Sequence, residues 1–455
     1  MASSRAWLTR EIVATLTLSG PIVATNVAVN FMSTTDVIFL GRLSPEALAA
    51  GALGQNLYMP VFLFCVGVVG ATAPIAASLV GADASDERGP RRAFQQAAIS
   101  VLVLSLPVWA LLWNARAILI AIGEPPDLAE RVGVYMHGLQ WALAPALLYF
   151  AARSVFAALN RTGPILVAGL MAVGFNALAN YALVFGHFGA PQWGLFGSGI
   201  ATTLSQALML VVLAGYAALD PHLRRYRLFA GLPRFERRAF AQLWRLGLPI
   251  GATIAAEISI FAAAGLAMGL IGATALEAHA IALQIVATAF MIPLGLGQAA
   301  SVRVAHAFGA RDRLGVSRAG WVALLVTIAY VALSAATMIA LPRLLIAPFL
   351  PDDAPGAEEI IPLALAFLRV GAIFQLFDGA QAALANMLRG VHDSRWPMMM
   401  ALIGYWAIGA PIGVALAFLT PLKGLGLWMG LACGLAAVSL QLLLRWRRKE
   451  RLGFI

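Results

Sequence analysis

Apolar residues in this chain come in long, unbroken runs, neither alternating with polar ones nor confined to one helical face. Twelve such runs lie at about 12–40, 47–80, 93–121, 130–158, 164–187, 194–218, 243–271, 275–309, 316–349, 357–388, 396–419 and 424–446. Each is long enough to cross the ~30 Å hydrocarbon core of a bilayer as a helix. Several exceed 25 residues, which predicts tilt or extension past the membrane. Pro21, Pro60, Pro249 and Pro293 fall inside runs and mark candidate kinks. The pattern predicts an all-α integral membrane protein of twelve spanning helices.

Composition agrees with this. The 455 residues are 61% hydrophobic and 11% charged, whereas a soluble domain is about 25% charged. Cys65 and Cys433 lie inside apolar runs without disulfide or metal spacing, and are expected to be buried thiols. No cleavable signal peptide is evident. The first run is too long for a signal core and carries Asp36 near its far end.

Charge changes the picture by giving orientation. The net charge is +10, but the cations sit in short connections, so topology explains them better than nucleic acid does. One alternate set of connections and ends holds about 22, among them Arg5, Arg10, Arg88, Arg91, Arg92, Arg161, Arg311, Arg389, Arg395 and Arg451. The other set holds Arg42, Arg116, Arg131, Arg343 and Lys423. The richer side is expected to be cytoplasmic and to hold both termini, which requires an even number of spans. The chain also repeats weakly. A shift of about 228 residues lays Pro21 on Pro249, Gly41 on Gly269, Gly67 on Gly295 and Gly81-Ala82 on Gly309-Ala310. The expectation is two six-helix lobes, 1–220 and 242–455, joined by a basic cytoplasmic linker at 221–241. The lobes would be related by a pseudo-twofold axis along the membrane normal, V-shaped about a central cleft. The linker, with Arg224, Arg225, Arg227, Arg234, Arg237 and Arg238, reads as a solvated loop near anionic lipid.

No phosphate-binding loop, dinucleotide fingerprint, HExxH or nucleophile elbow is present, which excludes an ATP motor in this chain. What remains is polarity inside the spans: Asp36 in the first, Glu257 in the seventh and Asp378 in the tenth. A carboxylate at bilayer depth costs a few kcal/mol, about 3 on insertion scales, and marks an ion or substrate path unless it is paired. Arg153, Arg245, Arg303 and Arg369 are the available partners for interhelical ion pairs. Asn176 and Asn180 share one helical face by their i, i+4 spacing, and Thr202 follows a Gly197-Ser198-Gly199 turn. With Asp36 these are hard oxygen ligands that would suit Na⁺ or hydrogen-bond a protonated acid; interhelical hydrogen bonding is the plainer role for the amides. Gln284 and Gln375 could support Glu257 and Asp378. Phe261 and Phe374 stand one turn from those acids, where a lipophilic cation would find both charge and an aromatic face; simple packing is the commoner role of an aromatic at helical spacing. His279 and His306 read as interfacial hydrogen-bonders, and Asp352, Asp353, Glu358 and Glu359 as a solvated face.

The stretch MSTTDVIFLGRLSPEALAAGALGQNLYMP at 32–60 resembles the multidrug and toxic compound extrusion (MATE) transporters. So do MGLIGATALEAHAIALQI at 268–285 and MIPLGLGQAASVRVAHAFGARD at 291–312. The three acids are similar to those of the NorM-like branch. The resemblance covers essentially the whole chain. It implies a secondary antiporter, not an enzyme, that expels amphipathic organic cations in exchange for Na⁺ or H⁺. It further implies a multi-pass inner-membrane protein, a working monomer among membrane lipids, with no cofactor beyond the transported coupling ion. Asp36, Asn176, Asn180 and Thr202 match the family's amino-lobe cation site, and Glu257 and Asp378 the acids of the seventh and tenth helices. Where a relative has Tyr, this chain has Phe374, which lacks a hydroxyl ligand. A lipid-linked precursor flippase of related fold is the alternative, although its cleft should be strongly cationic. A membrane-embedded enzyme would need a clustered nucleophile or a metal set, and the sequence offers neither.

Overall fold

A computed structural model describes residues 2–351, 353–449 and 453, with side chains from Trp7 onward. Asp352 and Arg451, read above as loop charge, lie outside them, and so does the side chain of Arg5. Among the described residues the fold is all-α, with twelve helices long and apolar enough to cross a membrane. They are α1 (Trp7–Leu43), α2 (Pro45–Ala82), α3 (Arg88–Trp113), α4 (Pro126–Ala158), α5 (Gly163–Phe185) and α6 (Gly194–Leu219). Then follow α7 (Arg237–Ile271), α8 (Ala273–Gly309), α9 (Arg313–Ala340), α10 (Ala357–Gly390), α11 (Arg395–Phe418) and α12 (Gly424–Arg447). The chain is a multi-pass membrane protein.

Two expected spans are shorter than their apolar runs. The run at 93–121 divides at Asn114 into α3 and a separate helix, Ala115–Ile122. The run at 316–349 divides at Leu341, and Pro342 opens the short helix Pro342–Ile346. Proline lacks the N–H that would continue the preceding ladder, and hydropathy does not register that break. Pro21, Pro60, Pro249 and Pro293 lie inside helices that continue past them. Local signals set other ends. The Ser44 hydroxyl accepts from the Ala47 amide at 3.0 Å with Pro45 in the first turn of α2. Asp312 caps α9 through the Gly315 amide at 2.8 Å. Such caps contribute about 1 kcal/mol each.

Packing gathers the chain into two compact units. One is Ala24–Gly251; the other is Met1–Val23 with Ala252–Ile455. In the second, the start of α1 is tied to α8: Arg303 pairs with Glu11 and donates to the Thr15 hydroxyl. Also there, α11 and α12 meet through glycines. A Cβ on Gly430 would collide with the Gly413 backbone, and one on Gly434 would lie 2.7 Å from the Gly404 carbonyl. Close backbone approach of this kind is how helices pack where lipid offers no hydrophobic drive. Residues Ile403–Gly409 of α11 form a π-helical stretch within that contact. Cys65 is buried, but Cys433 is exposed on the surface of α12, because an apolar run in a membrane protein has a lipid-facing side.

In the first unit the 221–241 segment is not a free loop. Leu223, Tyr226 and Leu228 are buried while Arg224, Arg225 and Arg227 are exposed. The Arg91 guanidinium donates to the Ala230 carbonyl at 2.6 Å, and the Gln96 side chain bonds the Arg234 carbonyl and the Glu236 amide at 2.8 and 3.1 Å. The arginines suggest a solvated loop. The alternate apolar positions make it a strap laid along α3.

Candidate ion and cargo sites

In the unit Ala24–Gly251, three helices converge on one carboxylate. Asp36 of α1 is 3% exposed. The two α5 amides reach the same carboxylate oxygen, Oδ1: Asn180 Nδ2 donates at 2.8 Å and Asn176 Nδ2 at 3.3 Å. Thr202 Oγ1 of α6 stands 2.9 Å from Oδ2. All four residues named from sequence therefore meet. Asn180 spends its second N–H on the Asn176 carbonyl at 3.0 Å, which fixes its orientation. The three donors are neutral, and no cation pairs with Asp36 among the described residues.

Gly197-Ser198-Gly199 is not a turn. It lies inside α6, where its glycines bring that backbone against its neighbours. A Cβ on Gly197 would lie 2.5 Å from the Leu183 carbonyl, and one on Gly199 2.6 Å from the Leu139 amide. This close approach sets the depth of Thr202. Tyr135 of α4 was not singled out from sequence. It is fully buried and within electrostatic reach of Asp36, and its hydroxyl accepts from Gln55 Nε2 at 3.0 Å. A lone tyrosine in an apolar run carries no periodic signal that could have found it.

Thr202 is the one donor able to reverse. Its single hydroxyl proton faces two acceptors, Asp36 Oδ2 and the Ser198 carbonyl at 3.2 Å. While Asp36 is ionised, that proton belongs to Asp36. If Asp36 binds a proton at Oδ2, it becomes the donor to Thr202 Oγ1, which turns its own proton to Ser198. The exchange needs no backbone movement. The Oδ1 atoms of Asn176 and Asn180 have no hydrogen-bond partner, so amide rotation would offer two carbonyl oxygens to a metal cation.

The carboxyl-terminal acids are arranged differently. Asp378 of α10 is 4% exposed and feels the charge of Glu257 of α7, which is half-buried. Glu257 lines a small cavity with Ile260, Phe261, Tyr405, Leu431 and Leu435. Its water-accessible space is ≈ 10 Å³, room for about one water. Phe261 and Phe374 meet edge to face at 5.9 Å, so the aromatic pair lies beside the acids. Gln284 does not join them: it is exposed and turns to Thr288 on its own helix. Gln375 is fully buried, but neither side-chain atom has a partner.

None of the four arginines considered as partners serves the acids. Arg153 donates to Asn26 Oδ1 at 3.2 Å and sits over Phe150, and Arg303 is held by Glu11. Arg245 and Arg369 are exposed. The cation that acts on Glu257 is Arg389, which the loop count had placed outside the membrane. It sits in the last turn of α10, half-buried, with Asn386 Oδ1 at 3.4 Å. Tyr405, on the π-helical stretch, is buried beside the same charges. With all three charged groups ionised, the cluster carries one net negative charge, suited to a monovalent cation.

The family model MatE matches twice, over residues 21–182 and 249–415. The two matches begin at Pro21 and Pro249, the same 228-residue offset that aligns the sequence with itself. Relatives named "Probable multidrug resistance protein NorM" include one from Mesorhizobium japonicum, 46% identical over 98% of this chain and 95% of the relative. Another, from Brucella suis, is 42% identical over 96% and 93%. Among solved structures, the eukaryotic MATE transporter AtDTX14 superposes with a TM-score of 0.86 at 21% identity, covering 98% of this chain and 100% of that one. A MATE in the bent conformation gives 0.85 at 16%, covering 97% and 95%. The fold, the repeated match and the near full-length NorM relatives place this chain in the MatE family of MATE transporters.

Proposed function

We propose that this protein is a multidrug efflux transporter of the inner membrane that exchanges amphipathic organic cations for protons. The observation that carries the proposal is Asp36: a carboxylate inside a spanning helix, held by three neutral donors of which one can reverse. The NorM relatives carry multidrug resistance in their names, which supports drugs as the cargo. Both termini lie in the cytoplasm and the monomer is the working unit; the arginine bias and the even span count support the former.

Transport runs as a cycle of competing charges. An organic cation enters and is held by Glu257 and Asp378 beside Phe261 and Phe374. A proton arriving from outside neutralises an acid, and the cargo loses the charge that retained it. Coupling requires only that proton and cargo favour opposite states. Na⁺ is the second reading, favoured by the unpartnered Oδ1 atoms of Asn176 and Asn180. An anionic lipid-linked cargo fits poorly, because Asp36, Glu257 and Asp378 would repel it.

Ethidium efflux from proteoliposomes tests this, driven separately by inward proton and Na⁺ gradients. Efflux under the proton gradient, lost in Asp36→Asn, is expected. Efflux under Na⁺ alone would replace the coupling ion, and none under either gradient, with folded protein present, would overturn the transporter reading.

A further inference from the structure

A row of buried polar atoms without protein partners runs toward Asp378 in the carboxyl-terminal unit. His279 of α8 is 2% exposed, and neither ring nitrogen has a hydrogen-bond partner. This overturns its reading as an interfacial hydrogen-bonder. Its ring meets the Trp428 indole edge to face at 5.6 Å. Trp428 of α12 is fully buried, and its Nε1 is also unpartnered. The indole lies against α10 at Gly371, where a Cβ would be 3.4 Å from the ring. Gln375 is one turn further along that face, and Asp378 three residues beyond it. Both Gln375 side-chain atoms and Asp378 Oδ1 lack partners. Gly371, Gln375 and Asp378 thus form one stripe of α10, with His279 and Trp428 at its near end.

Buried polar groups in folded proteins are paired, and where protein supplies no partner, ordered water does. A single orphan could be tolerated. Consecutive orphans on three packed helices describe a path. His279 is about 9 Å into α8, and Trp428 opens the first turns of α12. Both therefore lie at the end of the unit where the α7–α8 and α11–α12 connections sit. Asp378 is deeper, beside Glu257.

We propose that His279, Trp428, Gln375 and Asp378 bind an internal chain of water, and that His279 relays protons along it to Asp378. The proposal rests on the proton reading above. One ring nitrogen takes a proton from water at the connection end. The other releases its own to the internal chain, which delivers one proton to Asp378 Oδ1. Reorientation of the ring restores its starting form without carrying the proton back, and the positive charge, brought by hydronium at the connection end, finishes by neutralising the Asp378 carboxylate. Trp428 Nε1 and the Gln375 amide act as positioning groups for the water. The ionisable groups on the packed elements include Glu277, Arg303 and His306 on α8 itself, Glu257 on α7, Tyr330 on α9, Arg343 on the short helix after it, Arg369, Asp378 and Arg389 on α10, Tyr405 on α11, and Arg445 and Arg447 on α12. None exerts a resolved electrostatic effect on the ring.

Two measurements on the full chain in phosphatidylcholine–phosphatidylglycerol vesicles test this. The first is X-ray hydroxyl-radical footprinting, which reports water beside buried side chains and does not depend on transport. Trp428 and His279 should be modified at least tenfold faster than buried Phe156, after correction for intrinsic reactivity, and His279→Phe should remove the excess at Trp428. Rates no faster than Phe156 would overturn the water chain. The second is ethidium efflux. His279→Gln keeps hydrogen-bonding capacity but carries no transferable proton. It should slow proton-driven efflux by roughly 100-fold and leave gradient-free ethidium exchange within about twofold. Wild-type efflux in His279→Gln would overturn the relay. Should that variant fail to fold, Trp428→Phe keeps the ring contact and loses Nε1; undiminished labelling of His279 there would contradict the shared chain. If wild-type protein shows no proton-driven efflux, the coupling proposal fails, and footprinting still decides the water.

Discussion

The two units meet the same problem, a carboxylate at bilayer depth, in opposite ways. Around Asp36 the protein supplies the partners: three donors from two helices, held by side-chain and backbone bonds. Around Glu257 and Asp378 it supplies few. A like charge stands nearby, Arg389 offsets part of it from the end of α10, and Gln375 and Asp378 Oδ1 have no protein partner. A buried polar atom left unpaired costs about 1–3 kcal/mol. The first arrangement gives both carboxylate oxygens a donor without a visitor, one of them with a reversible proton on Thr202, and leaves only the Asn176 and Asn180 Oδ1 atoms unpaired. The second is complete only with water or a cation. On the function proposed above, the first site serves ion coupling, and the second holds the cargo and takes up a proton at Asp378 when the cargo leaves.

The strongest break in the comparison is Asp36→Asn. It keeps the shape and most of the hydrogen bonds but cannot exchange a proton, so efflux should fall to the level of empty vesicles with normal protein in the membrane. Next, Glu257→Gln and Asp378→Asn should each weaken ethidium binding by about tenfold, ~1.4 kcal/mol, read by fluorescence titration. Asp36→Asn should leave that affinity within a factor of about two. A weaker effect tests the reversible donor. Thr202→Val should slow proton-driven efflux by about tenfold, a loss the size of one net hydrogen bond, and Thr202→Ser should restore it.

Packing sharpens the comparison at smaller scale. Gly430→Ala forces a methyl into the Gly413 backbone and should cost ~1–3 kcal/mol of stability, seen as a lower melting temperature in detergent. Gly174→Ala, on the open face of α5 with nothing within 4 Å, should raise stability slightly, because alanine favours helix.

Much of this was legible in the sequence, for identifiable reasons. Lipid demands long apolar runs, so the twelve spans could be read directly, and they erred only where Asn114 and Pro342 interrupt a helix within a run that stays apolar on average. Asp36, Asn176, Asn180 and Thr202 stood out because polar residues are rare at that depth and the amide spacing puts them on one face. Arg389 did not, because its position at the end of a span counts as loop charge, although the helix carries it inward to Glu257. Gln284 failed in the converse way: being polar inside a span says nothing about which way it faces. The glycine contacts of α6, α11 and α12, and Tyr405 on the π-helical stretch, depend on which helices are neighbours, and a single sequence leaves that open.

The central claim is that Asp36 trades a proton for cargo, and proton release on binding tests it most directly. Ethidium would be added to weakly buffered, detergent-purified protein and the released protons followed with a pH-sensitive dye. The account predicts a measurable release from wild-type protein that disappears in Asp36→Asn while ethidium still binds. Equal release from both proteins, or none from wild type at saturating ethidium across pH 5 to 8, would contradict it.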